Sequence, residues 1–307
     1  MDRFRRILAV YSDRPGADSL LTQAVNLARA NNARLTIVRA DGVAMSACHV
    51  REARRYLGRI VPWVIQQGVS DVETDVLEGV PYKAVSHRVL TGEHDLVVVN
   101  ADRGSAIKGV MGGGTVRNLL QKCPCAVWIL KSDRPAACNA VLAAVDPDTA
   151  TRDDAGLNAR ILDLAVTLAR SNAASLHAVH CWDVEGSESD MLRSEIHLET
   201  KKRILDRHRE QRREAVEALL ARHTDRAVEA EVHLPRGRPE FELAELAERL
   251  SVDTVVMGTA GRSGLSRLVR GEFAEAMLGM VRCGILAVRP YTFHASASYA
   301  AVRPAGA

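Results

Sequence analysis

Three spaced glycines in the second half of the chain could form a binding site for a phosphate group. Gly258 and Gly261 lie three positions apart, and nine residues separate Gly261 from Gly271. Glycines let the backbone approach an anion, and Gly271 stands at a predicted helix start, where free N–H groups and the helix dipole attract negative charge. The spacing is typical of an anion site, although tight turns without a ligand would also use these glycines.

A carboxylate follows a neighbouring apolar segment. Asp146 comes directly after the apolar run 141–145, which we interpret as a buried strand. In open parallel sheets, ligands bind beyond the carboxyl ends of the strands, where the strand order reverses. Asp146 could there accept hydrogen bonds from ribose hydroxyls or hold a metal ion, or it could act as an N-cap-like residue for the following loop.

Two further clusters contain reactive residue types. Cys123 and Cys125 lack the Cys-x-x-Cys spacing of redox motifs, and Cys125 enters a predicted buried strand, so we interpret this pair as structural. His177 and His180 lie three apart on a predicted strand and therefore face opposite sides. His177 and His233 could meet across neighbouring strands, but we predict no metal site.

Composition excludes several classes of function. The chain has 307 residues, of which 47% are hydrophobic, 26% charged and 4% aromatic, with a net charge of +3. This mixture is that of an ordinary globular protein, with no general attraction for nucleic acid and too few aromatic residues for a base-stacking surface. We find neither a G-x-S-x-G elbow nor a phosphate-binding loop ending in Gly-Lys-Ser/Thr, so dedicated catalysis is not expected.

Cysteine usage and hydropathy bear on the location of the protein. Six cysteines without regular spacing fit a reducing compartment. The apolar run 7–11 is too short for a signal sequence, and no apolar stretch approaches the ~20 residues of a membrane span. We therefore expect a cytoplasmic protein without a membrane segment, and a disordered Ala-rich tail over residues 291–307.

The chain contains an internal repeat. Four segments of the first half match four of the second half in the same order, the last three at one constant offset: 23–31 with 164–172, 79–81 with 237–239, 95–99 with 253–257, and Cys125 with Cys283. This pattern indicates a tandem duplication. We predict one domain over residues 1–132 and a second over residues 138–290, joined by a polar linker.

Strand and helix periodicities alternate within each copy. The first copy predicts strands at 7–11, 35–39, 73–77, 96–99 and 126–130, and helices at 18–31, 46–67, after Pro81 and at 116–121. Alternation of this kind predicts parallel βαβ units with helices on both faces of the sheet. A longer helical segment over 189–223 carries a basic run interleaved with acidic residues, which indicates a solvated face. Its apolar spacing also permits the wall of a cleft for an apolar ligand, or a dimer face.

The three glycines, together with the duplication, resemble the glycine motif of the universal stress protein superfamily, and most closely its tandem, E-type members. The similarity covers nearly the whole chain, from about Arg5 to Pro290. It implies two tandem flavodoxin-like (Rossmann-like) domains, each with a five-stranded parallel sheet, in a stress-response protein. It also implies that the two domains pack together much as separate subunits pair in that superfamily.

The resemblance further implies a nucleotide site in the second domain, with ATP, together with Mg²⁺, as the candidate ligand. Asp146 would contact ribose or metal, and Ala178 and Met257 would line the adenine. The remaining positions would surround ribose and phosphates: Gly258, Gly261, Arg262, Gly271, Glu272 and Phe273.

Glu272 departs from the superfamily pattern, which has a hydroxyl residue at this position. A carboxylate beside a triphosphate is repulsive by about 1 kcal/mol. At a helix start the same carboxylate would instead complement the helix dipole.

The first copy departs further from the pattern. Asn100 and Arg103 occupy the first two glycine positions, Ser12 replaces the strand-end aspartate, and Gly113 alone matches. We expect this first site to be degenerate. Two other functions stay open: a scaffold that binds no ligand or a small apolar metabolite, and a weak Mg²⁺-dependent ATPase.

Overall fold

A computed structural model of the chain describes the following residues: 4–12, 16–40, 46–101, 114–131, 138–147, 152–184, 189, 197–224, 228–259 and 272–290. The first half contains β1 (Arg6–Val10), α1 (Ala17–Asn31), β2 (Arg34–Arg39), α2 (Ala47–Gln66), β3 (Val72–Val76), α3 (Pro81–Thr91), β4 (Leu96–Ala101), α4 (Gly114–Lys122) and β5 (Ala126–Lys131). The second half contains β6 (Ala140–Ala144), α5 (Arg152–Asn172), β7 (Ser175–Val179), α6 (Leu198–His223), β8 (Ala230–His233), α7 (Pro239–Arg249), β9 (Thr254–Gly258), α8 (Glu272–Met280) and β10 (Gly284–Val288).

The strands form one ten-stranded sheet in the order β3-β2-β1-β4-β5-β10-β9-β6-β7-β8. All pairs within each half are parallel, whereas β5 and β10 pair antiparallel and join the two halves. The strand order of each half reverses beside its first strand, between β1 and β4 and between β6 and β9. The predicted doubly wound α/β fold with five parallel strands per half is therefore confirmed, while the exact domain boundaries stay a prediction.

Helices cover both faces of the sheet because its central strands are apolar on both sides. Residues 96–98 of β4 and 127–129 of β5 are almost completely buried. One core cluster contains the inner faces of α1, α2 and α5, and the other contains those of α3, α4, α7 and α8. Strands buried on both faces give continuous apolar runs, which is why these segments could be located from the sequence.

Most element boundaries lie within two residues of the predicted ones, but the long helix of the second half is an exception. We predicted one helical segment over 189–223. Ser189 is helical, whereas α6 begins at Leu198, directly after His197, whose ψ of 135° is not helical. Residues 190–196 lie outside the described residues. No helix in the described part of the chain combines the length and the apolar character needed to cross a membrane.

The junction between the halves is tightly packed. Trp128 of β5 is fully buried opposite Leu286 of β10, and its indole N–H donates to Thr254 Oγ1 at 3.3 Å. The buried Arg289, just after β10, donates from Nη2 to the carbonyls of Leu119 and Leu120 in α4, at 3.3 and 2.5 Å. Cationic groups are favourable at a helix C-terminus, so Arg289 links the second half to the first.

Candidate functional site

Asp146 and Gly258 lie at the carboxyl ends of two adjacent strands. β6 pairs with β7 on one side and β9 on the other, with Ala143 opposite Val256. Asp146 follows β6 by two residues, and Gly258 is the last residue of β9. The structure therefore brings these two predicted residues to the point where the strand order reverses, which is where doubly wound sheets bind ligands.

A buried asparagine fixes the backbone of Asp146. The Asp146 N–H donates to Asn158 Oδ1 at 3.0 Å, and Asn158 Nδ2 donates to the Asp146 carbonyl at 2.5 Å. Asn158 lies on α5 and is only 3% exposed. The Asp146 side chain remains about one-third exposed, at 32%, so its carboxylate is presented to solvent by a rigid main chain.

The ring of His180 packs against the same strand end. His180 is buried, and its Nδ1 lies 3.2 Å from the carbonyl oxygen of Val145 and 3.9 Å from Asp146 Oδ1. Neither Asn158 nor His180 was predicted as a site residue. Asn158 could have been noticed, because this polar residue occupies the apolar stripe of α5 that continues at Ile161, Leu162 and Ala165.

The two residues predicted to line an adenine are inside the sheet. Ala178 and Met257 are 0% and 1% exposed. Ala178 belongs to the core on the α5 side, whereas Met257 belongs to the core on the α7 and α8 side. Their side chains therefore lie on opposite faces of the sheet, and only backbone atoms of the two positions could share one ligand.

The remaining predicted positions are described in part. α8 begins at Glu272, directly after Gly271, so its free N–H groups lie where the glycine spacing predicts a helix start. Phe273 is half-buried against the core beneath α8. Gly261, Arg262, Gly271 and the side chain of Glu272 lie outside the described residues.

The corresponding position of the first half has different chemistry. Ser12 follows β1 by two residues, and the preceding Tyr11 stacks on Tyr56, with ring centroids 5.9 Å apart and hydroxyl groups 3.0 Å apart. Asn100 lies within β4. Arg103 and Gly113 lie outside the described residues, and the degeneracy of this first site stays a prediction.

The cysteine pair and the histidines have the placements that the sequence suggested. Cys123 and Cys125 are both buried, with their sulfur atoms 3.7 Å apart, and burial raises the pKa of the Cys125 thiol well above its ordinary value. His177 lies on β7 next to His233 of β8, and their rings are 5.3 Å apart. His180 turns away toward Val145, so His177 and His180 do not share a site.

A cavity of about 500 Å³ lies beside the start of α6. Its lining mixes apolar, basic and acidic side chains: Asp183, Ser189, Leu198, Lys201, Lys202, Leu205, Asp206 and Arg236. An ion pair of 2.8 Å between Arg236 and Asp183 forms part of this lining. Its volume is in the range of small-molecule sites.

The chain is similar to known proteins in sequence and fold. Residues 140–289 match the model of the universal stress protein family. Universal stress protein E of Salmonella typhi is 27% identical over 256 residues, which are 83% of this chain and 78% of that protein. Universal stress protein E of Escherichia coli K12 is 29% identical over 211 residues, 68% of this chain and 65% of that protein.

Solved structures share the whole fold. A protein of unknown function from Pseudomonas aeruginosa PAO1 has a TM-score of 0.71 at 21% identity, over 94% of this chain and 93% of that one. A universal stress protein from Archaeoglobus fulgidus has a TM-score of 0.57 at 14% identity, over 92% and 98% of the two chains.

The fold and the strand-end site define a doubly wound α/β protein with a candidate ligand site at the point of strand-order reversal. Together with the family match over residues 140–289, these features identify the second half of the chain as a universal stress protein domain, and the chain as a whole is similar to universal stress proteins. Among these proteins it is similar to universal stress protein E.

Proposed function

We propose that the protein is a stress-survival module whose second half binds ATP or a related nucleotide at the carboxyl ends of β6 and β9. The observation that carries this proposal is the position of Asp146 next to Gly258 at the reversal of strand order. A carboxylate there can accept hydrogen bonds from ribose hydroxyls, and a glycine lets phosphates approach the main chain.

The donor set at this site fits a nucleotide better than it fits a dedicated catalyst. Asn158 holds the main chain of Asp146, so little backbone freedom is lost when its partly exposed carboxylate binds a ligand. The free N–H groups at the start of α8 would attract a phosphate. A glutamate as the first residue of α8 would oppose that attraction by about 1 kcal/mol, which favours a nucleotide with few charges or one bound together with Mg²⁺.

Mg²⁺ would be held by the Asp146 carboxylate together with phosphate oxygens, because this ion prefers oxygen ligands and keeps several waters. When bound, the ion would neutralise phosphate charge. The roles of this chain's own residues are to orient the ribose through Asp146 and to bring backbone N–H groups to the phosphates through the glycine segment.

The first experiment is mass spectrometry of small molecules released from the freshly purified, denatured protein, followed by calorimetric titration with ATP and Mg²⁺. We expect saturable binding that weakens about tenfold or more in Asp146→Ala, since a charged hydrogen bond contributes about 1.5–3 kcal/mol. Ser12→Ala is the matched control at the corresponding position of the first half, and it should leave binding unchanged.

Absence of saturable ATP binding at millimolar concentration, with no nucleotide released, would refute the nucleotide proposal. If ATP is also hydrolysed slowly, the same two variants test the ATPase alternative. Turnover that is equal in wild type and Asp146→Ala would exclude hydrolysis at this site.

The cavity beside α6 supports a second candidate function, the binding of a small metabolite with an apolar part. Leu198 and Leu205 offer apolar contacts, while Lys201, Lys202 and Arg236 could pair with an anionic part of the same ligand. A released metabolite of this kind, whose binding is lost in Leu205→Asp but kept in Asp146→Ala, would assign the function to this cavity.

A further inference from the structure

Two histidines and a glutamate meet at the edge of the sheet in the second half. His177 Nδ1 lies 3.1 Å from His233 Nε2 and 3.4 Å from Glu231 Oε2, and the same Oε2 lies 3.9 Å from His233 Nε2. A tetrahedral zinc ion separates its nitrogen and oxygen ligands by about 3.3–3.4 Å, since its ligand bonds are about 2.0–2.1 Å long. The three donor atoms are thus already close to the spacing that such an ion requires.

Strand register produces this arrangement. β7 and β8 pair with His177 opposite Glu231 and Val179 opposite His233, so all three donor side chains lie on one face of two neighbouring strands. The His180 N–H also donates to the His233 carbonyl at 3.1 Å, which extends the pairing beyond β7. The backbone positions of the three residues are therefore set by the sheet.

The second nitrogen of His177 has a partner of the kind found behind metal ligands. Its Nε2 lies 3.3 Å from Ser175 Oγ, and that hydroxyl donates its own proton to the Asn139 carbonyl at 3.3 Å. In this arrangement Ser175 Oγ accepts from His177 Nε2–H, and the Nδ1 lone pair is directed to the cluster. A hydrogen bond that fixes the tautomer in this way is typical of metal-binding histidines.

Solvent can reach the cluster from one side. The His177 and His233 side chains are each 13% exposed, whereas Glu231 is 66% exposed. An ion could enter past the Glu231 carboxylate, and a water molecule could complete its coordination. The imidazoles are held by packing, while the glutamate is free to adjust its position.

The first half places a protein cation at the corresponding location. On β2 and β3, Thr36 lies opposite Glu73 and Val38 opposite Asp75, the same register as in the second half. The Arg88 guanidinium lies there, with Nη2 2.9 Å from Glu73 Oε2 and Nε 3.6 Å from Asp75 Oδ2. In the first half, the Arg88 side chain thus neutralises the two carboxylates at this edge of the sheet.

The second half has lost that arginine. Leu246 stands at the position of Arg88, within the part of the repeat that matches at one constant offset. The carboxylate of Glu231 is kept at the position of Glu73, while the positions of Thr36 and Asp75 carry His177 and His233. Two imidazoles, which are preferred ligands of transition metals, thus replace the contact of the carboxylates with Arg88, while the positive charge of Arg249 still acts on His233 from α7.

We propose that His177, Glu231 and His233 form a binding site for a divalent transition metal ion, with Zn²⁺ as the first candidate, which links the edge strand β8 to β7. Two imidazole nitrogens and one carboxylate oxygen are a donor set for zinc and its neighbours rather than for Mg²⁺ or Ca²⁺, which prefer oxygen ligands. An ion that binds the folded state also stabilises it by mass action. This site is independent of the nucleotide proposal.

The test uses the full chain without an affinity tag. Calorimetric titration with Zn²⁺ should show a single strong site, and Co²⁺ as a spectroscopic probe should give tetrahedral visible absorption without a thiolate charge-transfer band. His177→Gln and His233→Gln should each weaken Zn²⁺ binding by roughly 10–100-fold or more. The matched control is His49→Gln, an exposed histidine on α2 next to Cys48, which should keep the wild-type affinity.

A stability measurement separates ligand loss from misfolding. Zn²⁺ should raise the Tm of the wild type and of His49→Gln, and it should slow amide exchange in β8. It should do neither in the His177→Gln/His233→Gln double variant, whose circular dichroism and metal-free Tm show whether it has folded. Equal zinc affinity in the wild type and the folded double variant, or a cobalt spectrum dominated by thiolate, would overturn the proposal.

Discussion

Asn158 holds the main chain of Asp146 through two hydrogen bonds. The Asn158 side chain accepts from the Asp146 N–H at 3.0 Å and donates to the Asp146 carbonyl at 2.5 Å. Asn158 itself is buried, with 3% exposure. Buried polar groups contribute little net energy when they are paired but are costly when a partner is removed. The residue that positions the candidate ligand site is therefore also a stability determinant.

We expect Asn158→Ala to lower the free energy of unfolding by about 1–3 kcal/mol, because it leaves the Asp146 N–H and carbonyl without this partner in a buried setting. Urea unfolding at neutral pH measures this change. Asn26→Ala, in the less buried surroundings of α1, is the control and should change stability by less than about 0.5 kcal/mol. Equal effects of the two substitutions would contradict the role assigned to Asn158.

Cysteine reactivity can be predicted from burial. Burial raises the pKa of Cys138 to about 12 and that of Cys181 to about 12, so both remain protonated thiols near neutral pH. Cys48 is exposed at the start of α2. Because the thiolate is the nucleophile, iodoacetamide should label Cys48 first, as peptide mass spectrometry would show. Labelling of Cys181 in the folded protein at a comparable rate would be the contrary result.

At the scale of elements, His94 joins three parts of the first half. It lies between α3 and β4, where its Nε2 is 3.0 Å from Thr36 Oγ1 of β2 and its Nδ1 is 3.2 Å from the Arg88 carbonyl of α3. Burial, and next the charge of Arg88, lower the pKa of His94 below its ordinary value of 6.5. The neutral imidazole is therefore the form that the folded state stabilises.

This shift has a defined sign in the pH dependence of stability. Between the lowered pKa of the folded state and 6.5, the unfolded chain binds a proton at His94 that the folded chain does not. The contribution of His94 to the free energy of unfolding is therefore fully present above pH 6.5, and it falls as the pH decreases through this window. We expect urea midpoints measured from about pH 7 to pH 5 to fall less steeply in His94→Gln than in the wild type.

In His94→Gln the urea midpoint should still fall somewhat as the pH decreases, so the slope of midpoint against pH should not reach zero. Burial, as the largest cause, also lowers the pKa of His233, which contributes a change of the same sign. A His94→Gln slope equal to that of wild type would show that His94 is not the titrating group.

At the scale of the whole molecule, the β5–β10 pair makes the two halves one continuous sheet. Gly284 lies at this crossing, where a Cβ atom would be 3.0 Å from the Ile129 carbonyl oxygen and 3.4 Å from that of Asp253. Both neighbours are backbone atoms of paired strands, which cannot move aside without disturbing the ladder. The close approach of the two halves therefore favours glycine at this position.

We expect Gly284→Ala to destabilise the protein by about 1–3 kcal/mol through overpacking at the junction. Gly58→Ala is the matched control, since it lies within α2 with open space around the added methyl group, and it should stabilise by about 0.5–1 kcal/mol. Thermal unfolding of the two variants measures both effects. Stabilisation by Gly284→Ala would contradict the packing argument.

The sequence by itself determined the elements and the repeat. Apolar runs such as residues 96–99 and 126–130 predicted strands buried on both faces, and helical periodicity predicted α1 and α2 within two residues. These features follow from local backbone geometry, because side chains repeat every two residues in a strand and every 3.6 in a helix. The carboxyl-end positions of Asp146 and Gly258 followed from the same alternation.

Only the tertiary structure decided which distant segments meet. The antiparallel β5–β10 pair, the contact of Asn158 with Asp146 and the meeting of Glu231 with the two histidines depend on strand order and register. Local periodicity carries no information about these pairings, and a shift of one residue would turn Glu231 and His233 to the opposite face. The sequence allowed His177 and His233 to meet, whereas the register of β7 and β8 brought them within 3.1 Å.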